Sequence, residues 1–407
     1  MHTTSVATVL WLFAFFYRYF RLFINLLAYW TSRAIVPSKN CFLSSSDVTV
    51  IIAALCEGDL FELERTIRSI LVTVPHELIL VTIDKNIAAA ESLLFKTISN
   101  DKAVKVRVAS ILKPCKRHQL NHVLPMVETK ICVLADDDVM WPPNLLAWLL
   151  APMENPSCGG VGTSQRVQRM LNPSFIQRIW GFLGALYIER RNFDCAACNW
   201  IDGGLPCISG RTAAYRAEIL QNQDFLDGFI NERWGQKPLK AADDNYITRW
   251  LVNHGWEIAF QFHPEVEVVT TLEENRKFLL QCLRWSRSNW RSNLTSLFVE
   301  RNVWQRQPWS TYAVFLTTLT HWALLSDICL IYFCPSEWRI SAYTMMALSK
   351  FVKFLAFYKK NPRDIFLIPV SILFGYFHSG LKLYSGLTMD NTGWGSRAVA
   401  DMEEMPG

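Results

Sequence analysis

The chain is poor in charge. Asp, Glu, Lys and Arg make up 19% of its 407 residues, against about 25% in an ordinary soluble domain. That shortage excludes a chain solvated along its whole length, and it is uneven, because the apolar residues concentrate at Val6–Trp30 and beyond Tyr312. The net charge of +5 is not gathered into a dense basic stripe, so nucleic acid is not expected as a partner. No basic segment precedes the first apolar run and no small-residue cleavage site follows it, which is not the form of a cleaved signal peptide. The 11 cysteines are odd in number and scattered, several of them in apolar runs. They read as reduced, buried thiols rather than a disulfide framework. Cys195-Ala-Ala-Cys198 has no second pair and no nearby His, which argues against zinc or redox chemistry. Internal repeats and low-complexity tracts are missing as well.

What is present begins with membrane segments. Val6–Trp30 exceeds the ~20 residues that a spanning helix needs, and predicts one N-terminal anchor. Arg18 and Arg21 lie inside it, and each would cost ~2.5–3.5 kcal/mol at mid-bilayer. Either the span is offset so that they snorkel, or part of it lies in the interface. Tyr312–Phe333 reads as a span interrupted by Asp327. Ser341–Tyr358 is shorter and carries Lys350 and Lys353, which suits an interfacial position or the lining of other helices. Asp364–Leu387 is a further span, so two or three are expected near the C-terminus. Basic residues beside these segments suit anionic headgroups on a cytoplasmic face.

Between the apolar ends the pattern changes to that of a soluble domain. Asp47–Leu55, Glu77–Asp84, Val104–Ser110 and Lys130–Asp136 read as strands. Asp59–Val72, Ile87–Ser99 and Arg117–Val127 read as the helices between them. The apolar, β-branched run at Asp47–Leu55 suits a strand buried on both faces, and the alternation predicts a doubly wound α/β sheet of parallel strands. Ligands bind such sheets beyond the C-terminal strand ends, where Glu57, Asp84, Asp136 and Asp138 all fall. Gly159–Gly162 is expected to turn into a short strand, Phe175–Arg191 to form an amphipathic helix, and Asp202–Gly210 a loop and short strand. Asp243–His254 reads as a helix capped by Gly255, and Glu273–Arg306 as a long amphipathic stretch.

Asp136-Asp137-Asp138 closes the Lys130 strand. A D-x-D pair offers the hard oxygen ligands that Mg2+ or Mn2+ prefers; the bland alternative is a solvated acidic turn. Gln281, Arg284 and Trp285 stand at i, i+3 and i+4 and so share one helix face, joining a fork of donors to an aromatic surface. An interfacial amphipathic helix would use Arg and Trp similarly. Asp243 and Asp244 open a helix, and a helix N-cap alone accounts for either of them.

Taken in order, Asp136-Asp137-Asp138, Asp243-Asp244 and Gln281-Cys-Leu-Arg-Trp285 resemble the D…DxD…D…QxxRW pattern of the processive family 2 glycosyltransferases, the group of the hyaluronan, cellulose and chitin synthases. The resemblance covers roughly residues 47–306. It is nearest to fungal hyaluronan-synthase-like capsular polysaccharide synthases, through Ser-Gly-Arg-Thr-Ala-Ala-Tyr215 and Arg-Trp-Ser-Arg-Ser-Asn-Trp290. It implies a GT-A type doubly wound mixed sheet with transmembrane and interfacial helices at both ends. It also implies Asp136 and Asp138 as metal ligands, Asp244 as the base for the acceptor hydroxyl, Arg284 on the diphosphate, and Trp285 stacking on the acceptor sugar beside Gln281. Glu57, Asp84 and one of Lys116 or Arg117 would serve the nucleotide end of the donor, with Asp136. Gln165-Arg166-Val-Gln-Arg169 would belong to the donor pocket, and Cys207-Ile-Ser-Gly210 to an acceptor loop in which Arg211 stands where the family has proline.

The expected domains are an N-terminal anchor (1–36), a cytosolic catalytic domain (47–270), interfacial helices with QxxRW (271–310), a transmembrane region (311–387) and a polar tail (388–407). The expected function is metal-dependent transfer from a UDP-sugar to a growing β-linked glycan, in the plasma membrane or Golgi, with membrane lipids as partners. One base and no second nucleophile imply inversion by a single displacement. The alternatives are a non-processive enzyme acting on a lipid acceptor such as ceramide or dolichyl phosphate, and a membrane scaffold without turnover. Asn293-Leu-Thr295 is a sequon, expected to be unglycosylated on a cytosolic face.

Overall fold

The computed structural model describes residues 6–98, 104–320 and 322–393. Ser99, where one helix was expected to end, and positions 394–407 of the polar tail lie outside the described residues.

The strands of the main sheet are β1 (Val48–Ala53), β2 (Glu77–Ile83), β3 (Lys105–Ile111), β4 (Ile131–Ala135), β5 (Cys158–Thr163), β6 (Thr212–Arg216) and β7 (Glu257–Gln261). They form one sheet in the order β7-β5-β6-β4-β1-β2-β3. Strands β1, β2, β3 and β4 pair in parallel, as do β5 and β7, while β6 runs antiparallel to both β4 and β5. The sheet is therefore mixed, and β6 is the exception to the all-parallel pattern that alternation alone predicts. Alternate residues of β1 enter opposite cores: Ile51 and Ala53 on one face, Val48, Val50 and Ile52 on the other. That two-sided burial explains the continuous apolar run.

Several boundaries differ from the sequence reading; the short strand expected within Asp202–Gly210 lies instead at β6. Gly159–Gly162 is not a turn but lies within β5, wholly buried. A Cβ on Gly159 would stand 2.7 Å from Trp256 Cβ, and one on Gly160 would stand 2.7 Å from Leu251. These glycines therefore answer to side chains pressed against the strand, not to a turn. Gly159→Ala should lower stability by about 1–3 kcal/mol through overpacking, read as an earlier melt in detergent with donor affinity kept. The helix beginning at Phe175 does not end at Arg191 but runs to Asp202, over 28 residues. Ser174 caps its start, accepting from the Gln177 backbone N–H, and left-handed Gly203 ends it. Cys195 and Cys198 are buried on it, and burial pushes both thiols up in pKa. All 11 cysteines are free.

Val6–Thr31, Ser336–Lys360 and Pro362–Leu387 are helices long and apolar enough to cross a membrane. The expected continuous span at Tyr312–Phe333 is instead a pair, Pro308–Thr320 and Ala323–Tyr332, bent by 80°. The charges that interrupted these segments in sequence meet in space. Asp327, 2% exposed, accepts from Arg18 at 3.2 Å, Lys350 at 2.5 Å and the Tyr376 hydroxyl at 3.0 Å. Arg21 donates to the Ala313 carbonyl at 2.6 Å and to Thr317 Oγ1 at 2.8 Å. Pairing removes most of the cost that isolated charges would carry in hydrocarbon.

Candidate active site

The antiparallel strand β6 builds the site. Its first residue, Thr212, pairs with Ala135 at the end of β4, and the Asp136 N–H donates to the Arg211 carbonyl at 3.0 Å. The loop before β6, Cys207–Arg211, is thereby held against the acidic turn after β4. The same loop is tied to the helix Asp243–Asn253, since the Ile208 N–H donates to Thr248 Oγ1 at 2.9 Å and that hydroxyl donates to the Asp244 carbonyl at 2.7 Å. The helix Lys277–Leu294 closes the remaining side. A cleft of about 660 Å3 results, lined by Asp136, Asp138, Lys116, Asp244, Arg284 and Trp285 among others. Gln281 lines it too.

Lys116 organises the floor. Its ammonium lies 2.7 Å from Asp136 and 3.0 Å from Asp243. Burial alone would push the lysine pKa down, but the two carboxylates outweigh it and hold it above the ordinary value. Asp243 is correspondingly lowered: burial opposes ionisation, and Lys116 overcomes it. Asp244 is different. Burial, then the neighbouring Asp243 charge, raise its pKa above the usual carboxylate value, and Lys116 only partly offsets them. A carboxylate held reluctant to ionise is one prepared to take a proton. Helix capping does not explain it, because the N-cap position falls on Ala242, in left-handed conformation at φ 62°.

Arg284 and Arg211 face this acidic floor from the other side. Burial pushes both guanidinium pKa values down, with Asp136 and Asp244 among the charges that oppose it. The Arg284 Nε and the Gln281 Oε1 are buried without a hydrogen-bond partner. Unsatisfied buried polar atoms are costly, and both belong to residues that line the cleft. Arg211 donates to Thr270 Oγ1 at 3.2 Å and Gln165 Oε1 at 3.1 Å, and its guanidinium carbon sits 5.4 Å from the Trp285 ring centroid. Tyr187 holds the indole in turn, with ring centroids 5.3 Å apart.

Some expected residues lie elsewhere. Glu57 and Asp84 stand together at the ends of β1 and β2 but outside the cleft lining. Glu57 pairs with Lys85 at 2.9 Å, and Asp84 accepts from Ser110 at 2.6 Å. Arg117 does not reach the cleft at all. It is 1% exposed, pairs with Glu232 at 2.6 Å, and donates to the carbonyls of Phe229, Ala241 and Ala242 at 2.8–3.0 Å. Its place is behind the strained turn that presents Asp243 and Asp244. Gln168 and Arg169 line the cleft, whereas Arg166 pairs with Glu267 at 3.3 Å. Arg191 also lines it and carried no sequence signal, whereas Asn289 and Arg211 line it from the stretches ending at Trp290 and Tyr215 that carry the family resemblance without an assigned role.

Among the described residues, no group of three or more His, Cys, Asp or Glu side chains gathers into a cage for a metal ion. The donor set, Asp136 and Asp138 open to the cleft, suits a cation that takes one or two carboxylates and completes its shell from phosphate oxygens and water, as Mg2+ does.

The structure is thus a mixed α/β sheet with an acidic cleft beside it and apolar helices at both ends. Residues 46–288 match the family model described as glycosyltransferase like family 2, and the chain belongs to that family. A type 2 glycosyltransferase of Zymoseptoria tritici is 47% identical over 98% of this chain and 86% of that protein. Hyaluronan synthase 3 of Homo sapiens is 24% identical over 65% of this chain and 47% of that protein. Among solved structures, the mannosyltransferase PcManGT of Pyrobaculum calidifontis, in complex with GDP-Man and Mn2+, superposes with a TM-score of 0.57 at 16% identity. The match covers 93% of this chain and 99% of that one. The fold is thus GT-A-like, a mixed α/β sheet.

Proposed function

We propose that the protein is a UDP-sugar-dependent, inverting glycosyltransferase that extends a β-linked polysaccharide and is anchored so that its catalytic domain (47–270) faces the cytosol. The observation that carries this reading is the opposition, across one cleft, of a base-like Asp244 to Asp136, Asp138, Lys116 and Arg284. Asp136 and Asp138 would hold Mg2+ or Mn2+, which when bound supplies Lewis-acid neutralisation of the leaving diphosphate. Arg284 adds a fixed positive charge on the same group. Asp244 takes the proton of the acceptor hydroxyl as that oxygen attacks the anomeric carbon and the bond to the diphosphate breaks. Trp285, braced by Tyr187 and Arg211, offers a flat face to the acceptor sugar. With Asp244 as the base, a single displacement with inversion is the economical mechanism. Similarity to hyaluronan synthase 3 supports a glycan acceptor.

The test is UDP release by the purified full chain against a panel of UDP-sugars, with Mn2+ or Mg2+. Turnover with one donor or a donor pair, and a product that lengthens with time, is expected. UDP binding without turnover for every donor, whatever the added glycan or lipid acceptor, would overturn the reading in favour of a scaffold. In the active preparation Asp136→Ala should reduce turnover by at least about 10²-fold, the scale of losing one electrostatic partner of the transition state, and should weaken Mn2+-dependent UDP binding.

A further inference from the structure

A second cavity, of about 400 Å3, lies between the apolar helices and shares Tyr187, Arg191, Cys207 and Asn289 with the catalytic cleft. Its lining is cationic out of proportion. Arg18 and Lys350 belong to it but are paired by Asp327. Arg21, Arg190, Lys353 and Lys382 are not: among the described residues none of these four forms an ion pair with a carboxylate. Arg190 and Lys353 instead lie over the rings of Tyr187, at 4.9 Å, and Phe354, at 5.5 Å. Lys353 and Lys382 are each close enough to Arg190 and Arg21 to act on them electrostatically, and among the described residues Asp194 is the one carboxylate in the lining. Three further polar atoms are buried here without a partner, Tyr19 Oη, His378 Nε2 and Arg191 Nη1. The rest of the wall mixes neutral polar side chains, such as Asn25, Asn293 and Thr317, with an apolar part that includes Leu22, Leu183, Phe354 and Phe374.

Cations gathered between helices apolar enough to cross a membrane need a counter-charge. Here the surplus gathers in one chamber beside an apolar stretch of wall. We propose that this chamber binds the phosphate of a membrane lipid, with the headgroup among Arg21, Arg190, Lys353 and Lys382 and the acyl or prenyl chain along the apolar wall. Basic pockets between membrane helices take anionic headgroups in this way. A carboxylate-bearing glycan would leave the aliphatic side chains of that wall, Leu22 and Leu183 among them, without an apolar partner. The site does not depend on which hydroxyl accepts the sugar.

The test uses the detergent-purified full chain and a fluorescent phosphatidic acid as probe, with UDP binding to the cleft measured in the same preparation. Saturable binding of one lipid per chain is expected. The double variant Lys353→Gln/Lys382→Gln should weaken it by about ten- to thirtyfold, two cations at roughly 1 kcal/mol each, and Lys353→Arg should retain it. UDP binding should be unchanged in all of these, which shows that the variants fold and separates failure of this proposal from failure of the donor reading. Equal lipid binding by the double variant overturns the proposal. So does displacement by millimolar inorganic phosphate alone, which would make the ligand a free anion, or by an acidic oligosaccharide, which would assign the chamber to the glycan.

Discussion

Asp244→Asn should abolish most turnover, by about 10²–10⁴-fold, the range that a positioned general base contributes, while UDP affinity stays near wild type. The donor's charged end would be held on the Asp136, Lys116 and Arg284 side of the cleft, so removing the Asp244 charge leaves it in place. The pH profile gives a second readout. Burial and Asp243 raise the Asp244 pKa above 3.8, so the acid limb of kcat/KM should fall as pH drops through that raised value. In the asparagine variant the residual rate should lose this limb. The sign for stability runs the other way from the usual salt-bridged aspartate. A carboxyl whose folded pKa is raised binds its proton more tightly in the fold, so ionising it at neutral pH works against folding. The variant should therefore melt no earlier than wild type, and a kinetic loss with an unchanged or higher Tm would separate chemistry from unfolding. Wild-type turnover in Asp244→Asn would remove Asp244 from the mechanism.

Lys116→Met should be the most destabilising of the cleft substitutions, by about 3–5 kcal/mol, the cost of leaving buried charge without its partner. The methionine stem fills most of the lysine's volume, so the effect is electrostatic rather than a cavity. Asp136 and Asp243 would lose contacts of 2.7 and 3.0 Å. The pH window follows from the two partners. Lys116 is raised in the fold, so its share of stability is full at any pH below that of a free lysine, and is lost only as pH rises through the folded value. Asp243 is lowered from 3.8, so its share is present above 3.8 and lost as pH falls through the folded value. The difference between wild type and variant should be flat around neutrality and shrink on strong acidification, measured by denaturant melts in detergent. Lys116→Arg should recover much of the stability, because the charge remains. A Lys116→Met protein as stable as wild type would mean that solvent screens these contacts.

Glu232 shows how the two halves of the cleft are coupled. It pairs with Arg117 behind the Asp243 turn and with Arg249 on the same helix, and Arg249 also bonds Glu300 at 3.0 Å and Ser292 at 3.0 Å beyond the QxxRW residues. The Lys277–Leu294 helix is further fastened to the last apolar helix, with Trp290 Nε1 donating to the Lys382 carbonyl at 2.8 Å. Asn293 of the sequon is buried at 3% exposure between these elements, so the folded chain does not present it.

The linear order of residues determined the local elements and the chemical types at the strand ends. β-branched runs bounded by polar residues can hardly be anything but buried strands. The i, i+3, i+4 spacing put Gln281, Arg284 and Trp285 on one helix face before any contact was known. What periodicity could not determine was direction, partner and crowding, because each depends on residues far away in the chain. β6 reads like any other short strand, yet its antiparallel pairing with β4 is what delivers Arg211 to Asp136. Lys116 and Arg117 are adjacent basic residues at a helix start. Tertiary packing alone turned one into the cleft and buried the other behind it. Gly159 looked like a turn because nothing local reveals Trp256 pressed against its backbone. Arg18, Asp327 and Lys350 looked like three separate penalties in apolar segments, and only their meeting in three dimensions makes them one satisfied cluster. The sequence thus set which groups were available, while the tertiary structure decided which of them share an enclosure, since burial and opposing charge act over distances that chain order does not record.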